Sequence, residues 1–324
     1  MHRFSRALSF ALGSVALAAA SVAHAQGFPN KPVRVVVPFA AGSIGDIATR
    51  IIGQKFTENA GQQMIVDNQP GANAIIGTEA VSRAVPNGYT LLLASAGSHG
   101  LNSSLYSKLP YDPVKDFAPI TQAFAAYYFL IVGNHLPANT VSELVSLAKA
   151  KPGKLTLAYA ASIQQLTGEL LKLTAGIEMT LVSYKADSQA FTDLRGGQVD
   201  LMFMPPVAAL SQLKAGHIKA LAVPTAKRSS LLPELPTIAE SGYPGFEAGA
   251  WLAFMAPAGT PKELIAKLHA EIVRVLQVPE VKEKLLQIGN HTIGNTPEEL
   301  AAVVKTEIEK WAKVFKEVNL PRAN

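Results

Sequence analysis

Two short segments concentrate the residue types able to hold an anion. Pro38-Phe39-Ala40-Ala41-Gly42-Ser43-Ile44-Gly45-Asp46 joins a β-branched run to an amphipathic one. Its glycines let backbone approach a ligand closely, and the free amides of a helix start attract negative charge. Without a lysine or the G-x-x-x-x-G-K spacing it is no nucleotide-binding loop. Ser95-Ala96-Gly97-Ser98-His99-Gly100 ends another apolar run, and its small and hydroxyl residues suit carboxylate oxygens. Phe39, Ala41, Gly42, Ser43 and Asp46, with Ser95, Gly97, Ser98 and His99, are therefore candidate ligand contacts. A bulky residue at Gly42 is expected to block close approach. Each assignment competes with a structural one: a tight strand-to-helix turn, a helix cap at Asp46, a surface loop at His99.

Catalytic patterns are missing. Ser98 and His99 are adjacent, a spacing not expected to form a hydroxyl–imidazole relay, and no G-x-S-x-G elbow occurs. The seven histidines never fall at H-x-x-x-H spacing. No metal or cofactor is expected, and binding is favoured over an enzyme.

The elements positioning these loops alternate. Residues 33–37 read as a buried parallel strand because they are almost continuously apolar. A helix over 46–59 places Ile47, Ile51, Ile52 and Phe56 on one face, followed by strand 64–66, helix 77–85 and strand 89–94. A second series follows: strand-like 120–132, helix 140–150, strand 154–160, helix 163–174, strand 179–184, helix 188–196, strand 199–204, helix 207–215 and strand 218–223. Strand 251–256 reads as a return to the first unit, before helices 261–277, 279–287 and 297–318. Thr260-Pro261-Lys262-Glu263 and Thr296-Pro297-Glu298-Glu299 both look like capped helix starts. The fold class is α/β, with two lobes and a ligand cleft off the carboxyl ends of strands. One lobe is expected from 26–124 plus 251–295 and the other from 125–250; the helix within 296–324 fits either. Crossovers near 124–127 and 245–251 are the expected hinge.

The first 25 residues read as a cleaved signal peptide: Arg3 and Arg6 precede an apolar run, and Ala23-His24-Ala25 suits a signal peptidase. With no cysteine to form disulfides, a chain of this size must hold by packing alone, which favours a bacterial periplasm. Net charge is +5, or +3 without Arg3 and Arg6, and the basic residues are scattered, which argues against nucleic acid. After the leader no apolar run is long enough for a membrane helix.

Seven segments in order carry a family resemblance: VVVPFAAGSIGDIATRII, VDNQPGANAIIGTEAVSRAVPNGYTLLLAS, LYSKLPYDPVKDFAPIT, VSYKADSQAFTDLRGGQVDLMF, LKAGHIKALAV, LPELPTIAESGYPGFEAGAW and APAGTP. The chain resembles the Bug (TctC-like) family, periplasmic solute receptors of tripartite tricarboxylate transporters. The resemblance implies a type II periplasmic-binding-protein fold, a monomer that closes around a small organic carboxylate, and membrane transporter subunits as partners. A sensory receptor for a membrane kinase would use the same fold. Two departures bear on the ligand. The family's glycine-rich loop after Tyr159, which cups a second carboxylate, is shorter here, with Ala161, Ser162, Gln164 and Gln165 in its place. A usual aspartate is replaced by Met204, which disfavours an amino-acid ligand. Met204, Phe39, Phe203 and Trp251 are expected either to line a roomier pocket suited to an aromatic acid or to be core residues.

Overall fold

The computed structural model describes residues 28–126, 128–318 and 322, so the leader expected over 1–25 lies outside the described residues. Two sheets form. The first holds β1 (Val33–Val37), β2 (Met64–Asn68), β3 (Thr90–Ser95), β4 (Phe117–Ala126), β10 (Ala250–Pro257) and β11 (Asn290–Thr292), in the order β11-β4-β10-β3-β1-β2. β5 (Phe129–Gly133), β6 (Thr156–Tyr159), β7 (Thr180–Ser183), β8 (Leu201–Met204) and β9 (Ile218–Ala222) make the second, in the order β7-β6-β8-β5-β9. The expected single strand over 120–132 is two: β4 pairs antiparallel with β10, whereas β5 pairs with β8 and β9 in the other sheet. Both halves are apolar, so composition does not mark the break at the crossing between lobes.

Helix α1 (Ile44–Ala60) buries Gly45, Ala48, Thr49, Ile52, Gly53 and Phe56. Ile47 is 39% exposed and does not share that face as expected. Small residues define the stripe because the helix lies close to the sheet: a Cβ on Gly53 would sit 3.4 Å from the Met64 side chain. Thr296 and Glu299 cap the last helix, α10 (Pro297–Glu317), reciprocally, the Thr296 N–H donating to Glu299 Oε2 at 2.8 Å and the Glu299 N–H to Thr296 Oγ1 at 3.2 Å. Thr260 makes no such cap; its hydroxyl donates to the Pro257 carbonyl at 2.7 Å.

Helix α10 spans both lobes. Leu300 and Val304 join the cluster on Trp251, Ala253 and Met255, while Trp311, Val314 and Phe315 join the cluster on Leu130, Leu157 and Leu166. The fully buried Trp311 donates its indole N–H to Glu307 Oε2 at 2.9 Å. Lys310 pairs with the other Glu307 oxygen and donates to the Glu247 carbonyl at 3.1 Å.

Candidate ligand-binding cleft

A cavity of about 630 Å³ opens where the two sheets meet. Its first-lobe wall includes Phe39, Ser43, Ile44 and Gly45, then Pro70, Gly71, Asn73 and Ala74, then Ser95, Gly97, Leu101, Asn102 and Leu105. Tyr128, Ala161, Ser162 and Ile163 face them from the second lobe, and Ala126, Ala250, Trp251 and Leu252 form the crossing between. None of the described lining residues is Lys, Arg, His, Asp or Glu. An anion here meets backbone amides and hydroxyls.

The geometry follows from local sequence. Ser43 is the N-cap of α1, its hydroxyl accepting from the Asp46 N–H at 3.3 Å. The amides of Ile44 and Gly45, first in the helix, have no intrahelical acceptor and carry the positive end of its dipole. The second-lobe helix α5 (Ser162–Ala175) begins at the cavity in the same manner, with Ala161 as its extended N-cap. Helix N-termini from both lobes thus border one space.

Of the sequence-expected contacts, Phe39, Ser43, Ser95, Gly97, Ala161, Ser162 and Trp251 line this cavity. Ala41 and Gly42 are exposed beside it, and neither lines it. Gly42 has φ +80°, and a Cβ there would meet nothing within 4 Å, so the steric block expected at Gly42 shifts to Gly45, where a Cβ would lie 3.0 Å from the Phe39 ring. Asp46 lies behind the loop, accepting from the Gly42 N–H at 2.8 Å, from Arg50 at 3.0 Å and from Asn68 at 3.1 Å. Against the upward pull of burial, those partners hold its carboxyl below the usual carboxylate range. Gln165 is half-buried off the cavity; Met204 is buried with Phe129, Ile131 and Met202 in a core cluster, and Phe203 in another. Gln164 is 2% exposed and turned inward.

Ser98 and His99 correct two expectations. His99 is fully buried, not a surface-loop residue, and Ser98 Oγ lies 2.9 Å from His99 Nδ1. The contact arises because 97–101 is a π-helical turn rather than a loop, running into the short helix Asn102–Leu105. It is no relay. Ser98 is fully buried and bonded back to Ser95, and the imidazole packs edge-on to Phe117 at 4.7 Å. Burial pushes the His99 imidazole down to about 3 from an ordinary 6.5. The native state therefore refuses a proton that the unfolded chain accepts, so His99 lowers stability as pH falls from 6.5 toward 3, by about 1.4 kcal/mol per pH unit. His291, lowered to about 4 mainly by burial, acts in the same direction. In urea melts at pH 7 and 4.5, His99→Phe should lose about one proton's worth of this acid sensitivity. An unchanged pH slope would contradict it.

The sequence reading missed the Pro70–Ala74 wall. Ala72, Asn73 and Ala74 have φ of 46°, 50° and 70°, a run of left-handed residues without glycine. The surroundings hold it: Asn102 donates to the Asn73 carbonyl at 3.0 Å and Thr78 to the Ala74 carbonyl at 2.7 Å. Pro70-Gly71 was the available signal, as punctuation ahead of a helix. Trp251 completes the crossing with a buried indole N–H that has no partner among the described residues. A second cavity of about 650 Å³ lies against the same crossing and is walled by Ala125, Ala126, Gly249, Ala250 and Trp251.

Two α/β lobes joined at β4–β5 and β10, with the cavity between them at helix starts, define a two-lobed periplasmic binding protein. Comparison with known proteins makes this particular. Residues 48–320 match the tripartite tricarboxylate transporter family receptor. Protein BugT of Bordetella pertussis is 33% identical over 303 residues, spanning 92% of each chain. A solved structure of R. palustris Rpa4515 with adipate is 34% identical with a TM-score of 0.75, covering 92% of this chain and all of that one. MatC of Rhodopseudomonas palustris with bound malate is 33% identical with a TM-score of 0.70, covering 89% of this chain and 99% of that one. The chain belongs to the TctC (Bug) family of solute-binding receptors, whose setting is the periplasm. Its family and its structural neighbours are solute-binding proteins rather than enzymes. No helix among the described residues is long and apolar enough to cross a membrane.

Proposed function

We propose that this receptor, exported by a cleaved signal peptide, captures a small organic carboxylate by closing its two lobes and delivers it as a monomer to the membrane subunits of a tripartite transporter. The observation that carries the reading is the meeting of two helix N-termini, at Ser43–Gly45 and Ala161–Ile163, across a cavity with no lining cation. Such termini hold anions through backbone amides. Adipate and malate in the two related structures support the ligand class. Cavities against one crossing leave room for bending there, with 28–124 plus 251–295 and 125–250 as the moving bodies and 245–251 in the hinge. Closure follows as a population shift, because a ligand touching both lobes favours the closed form. Phe39, Leu101, Leu105 and Trp251 give the cavity an apolar wall, so a bulkier or aromatic acid should outcompete succinate and malate.

A thermal-shift panel of mono-, di- and aromatic carboxylates tests this. A true ligand at 100 times its Kd adds ~2.7 kcal/mol of stability. Zwitterionic amino acids should shift the melt least, because an ammonium beside the carboxylate would sit against helix N-termini of its own sign with no lining acid to pair it. Glutamate or aspartate as the strongest stabiliser would refute that ranking, and no shift from any carboxylate would refute the function.

A further inference from the structure

The polar side chains on the two walls of the cleft differ in what holds them. On the first-lobe wall Ser43 accepts from the Asp46 N–H, Asn73 donates to the Tyr106 hydroxyl at 2.6 Å, Ser95 accepts from the Ser98 N–H at 3.1 Å and Asn102 donates to the Asn73 carbonyl. Each is tied to a partner in its own lobe. On the second-lobe wall the polar side chains are Tyr128 and Ser162, and neither hydroxyl has a hydrogen-bond partner among the described residues. Ser162 is exposed, where water competes for it. Tyr128 is half-buried: it stands immediately before β5, and its ring packs on the buried cluster that holds Leu130, Leu157 and Phe203, which fixes the direction of the phenol. The phenol oxygen is not sealed in that core, and the cavity is the space Tyr128 borders. Burial, then the charge of Asp187, pushes the phenol up to about 12, so it keeps its proton and remains a donor at neutral pH.

We propose that Tyr128 is a specificity residue of the second lobe: its phenol O–H donates to a carbonyl or hydroxyl oxygen on the body of the bound acid, so that the receptor favours oxo and hydroxy acids over their hydrocarbon counterparts. The inference rests on the cleft being a carboxylate site. Closure of the lobes removes water from the phenol, and an acid with only methyl and methylene groups at that point strands the donor beside the apolar wall of Phe39, Leu105 and Trp251. A site built to hydrogen-bond one oxygen of its ligand rejects the analogue lacking it, because its own polar group is left unpaired. The donor belongs to the second lobe and the carboxylate-holding amides to the first. The bond therefore forms only when one ligand spans both, which ties recognition of this oxygen to closure.

Calorimetry on the mature chain with pairs of equal shape, in which a carbonyl oxygen replaces a methyl group, decides it: 5-oxohexanoate against 5-methylhexanoate, and 4-acetylbenzoate against 4-isopropylbenzoate. The oxo acid should bind about fivefold tighter in whichever pair the cavity accepts, the effect of one neutral hydrogen bond. Tyr128→Phe keeps the ring and its packing, so it should leave the hydrocarbon acid within about twofold of its original affinity while the preference for the oxo acid disappears. Equal or tighter binding of the hydrocarbon acid by the unaltered protein would overturn the inference and leave the carboxylate reading intact. Equal weakening of both acids by Tyr128→Phe, with the preference kept, would reduce Tyr128 to a structural role and likewise overturn it. Should that variant fail to fold, Tyr128→Leu takes its place under the same criterion. If no carboxylate of either pair or of the wider panel binds, the carboxylate reading itself falls and the inference with it.

Discussion

Gly45→Val is expected to weaken carboxylate binding by about tenfold to a hundredfold, the loss of one charge-assisted hydrogen bond of roughly 1.5–3 kcal/mol. Gly45 is buried in the first turn of α1, where a Cβ would stand 3.0 Å from Phe39 and 3.3 Å from both Leu252 and Leu93. Valine adds two further methyl groups to that contact. The helix start must therefore shift, taking with it the amides that face the cavity; misfit of this kind costs about 1–3 kcal/mol in stability as well. Gly42→Ala is the matched control: its Cβ enters open space, and only the left-handed φ of +80° is penalised. Calorimetry with the best carboxylate of the panel, alongside circular dichroism, should show affinity lost in the first variant and kept in the second. Retained affinity in Gly45→Val would remove the α1 start from the site.

Trp311→Ala should destabilise the protein by about 3–5 kcal/mol, the usual effect of emptying a buried tryptophan site. The loss has a particular location. Trp311 lies in α10 between the lobes, and its removal also strips Glu307 Oε2 of its indole donor while Gly100 remains pressed against Glu307, where a Cβ would come within 2.9 Å. Trp311→Phe keeps most of the volume but not the donor, so it should cost about 1–3 kcal/mol for the unsatisfied carboxylate oxygen. Denaturant melts of both variants separate packing from hydrogen bonding; equal losses would place the whole effect in the hydrogen bond.

Most strands and helices could be read from the chain because their signals are local. A nearly continuous β-branched run marked β1, an apolar run marked the return strand β10, and Thr296-Pro297-Glu298-Glu299 marked the start of α10. What escaped depends on distant partners. β11 is three polar residues whose strand character exists only beside β4. Residues 97–105 are rich in glycine and serine yet helical, because Tyr111 bonds the Ser98 carbonyl and Asn102 bonds the 70–74 wall. The loops that line the cavity were visible from their glycines and their place after strands. Which side chains turn toward the cavity was not: Gln164 points inward because Asp187 and the Phe203 carbonyl, 23 and 39 residues away, take its amide. Likewise no local rule predicts alanine at positive φ, as at Ala72 and Ala74.

The central claim is that a carboxylate is held between the lobes by backbone amides rather than by a cationic side chain. A crystal structure of the mature protein with the tightest acid of the panel tests it most directly. The account predicts carboxylate oxygens within about 3 Å of the Ile44 or Gly45 amide, with the body of the acid against Trp251 and the second lobe closed over it. A carboxylate paired with a lysine or arginine, or seated outside this cleft, would contradict it.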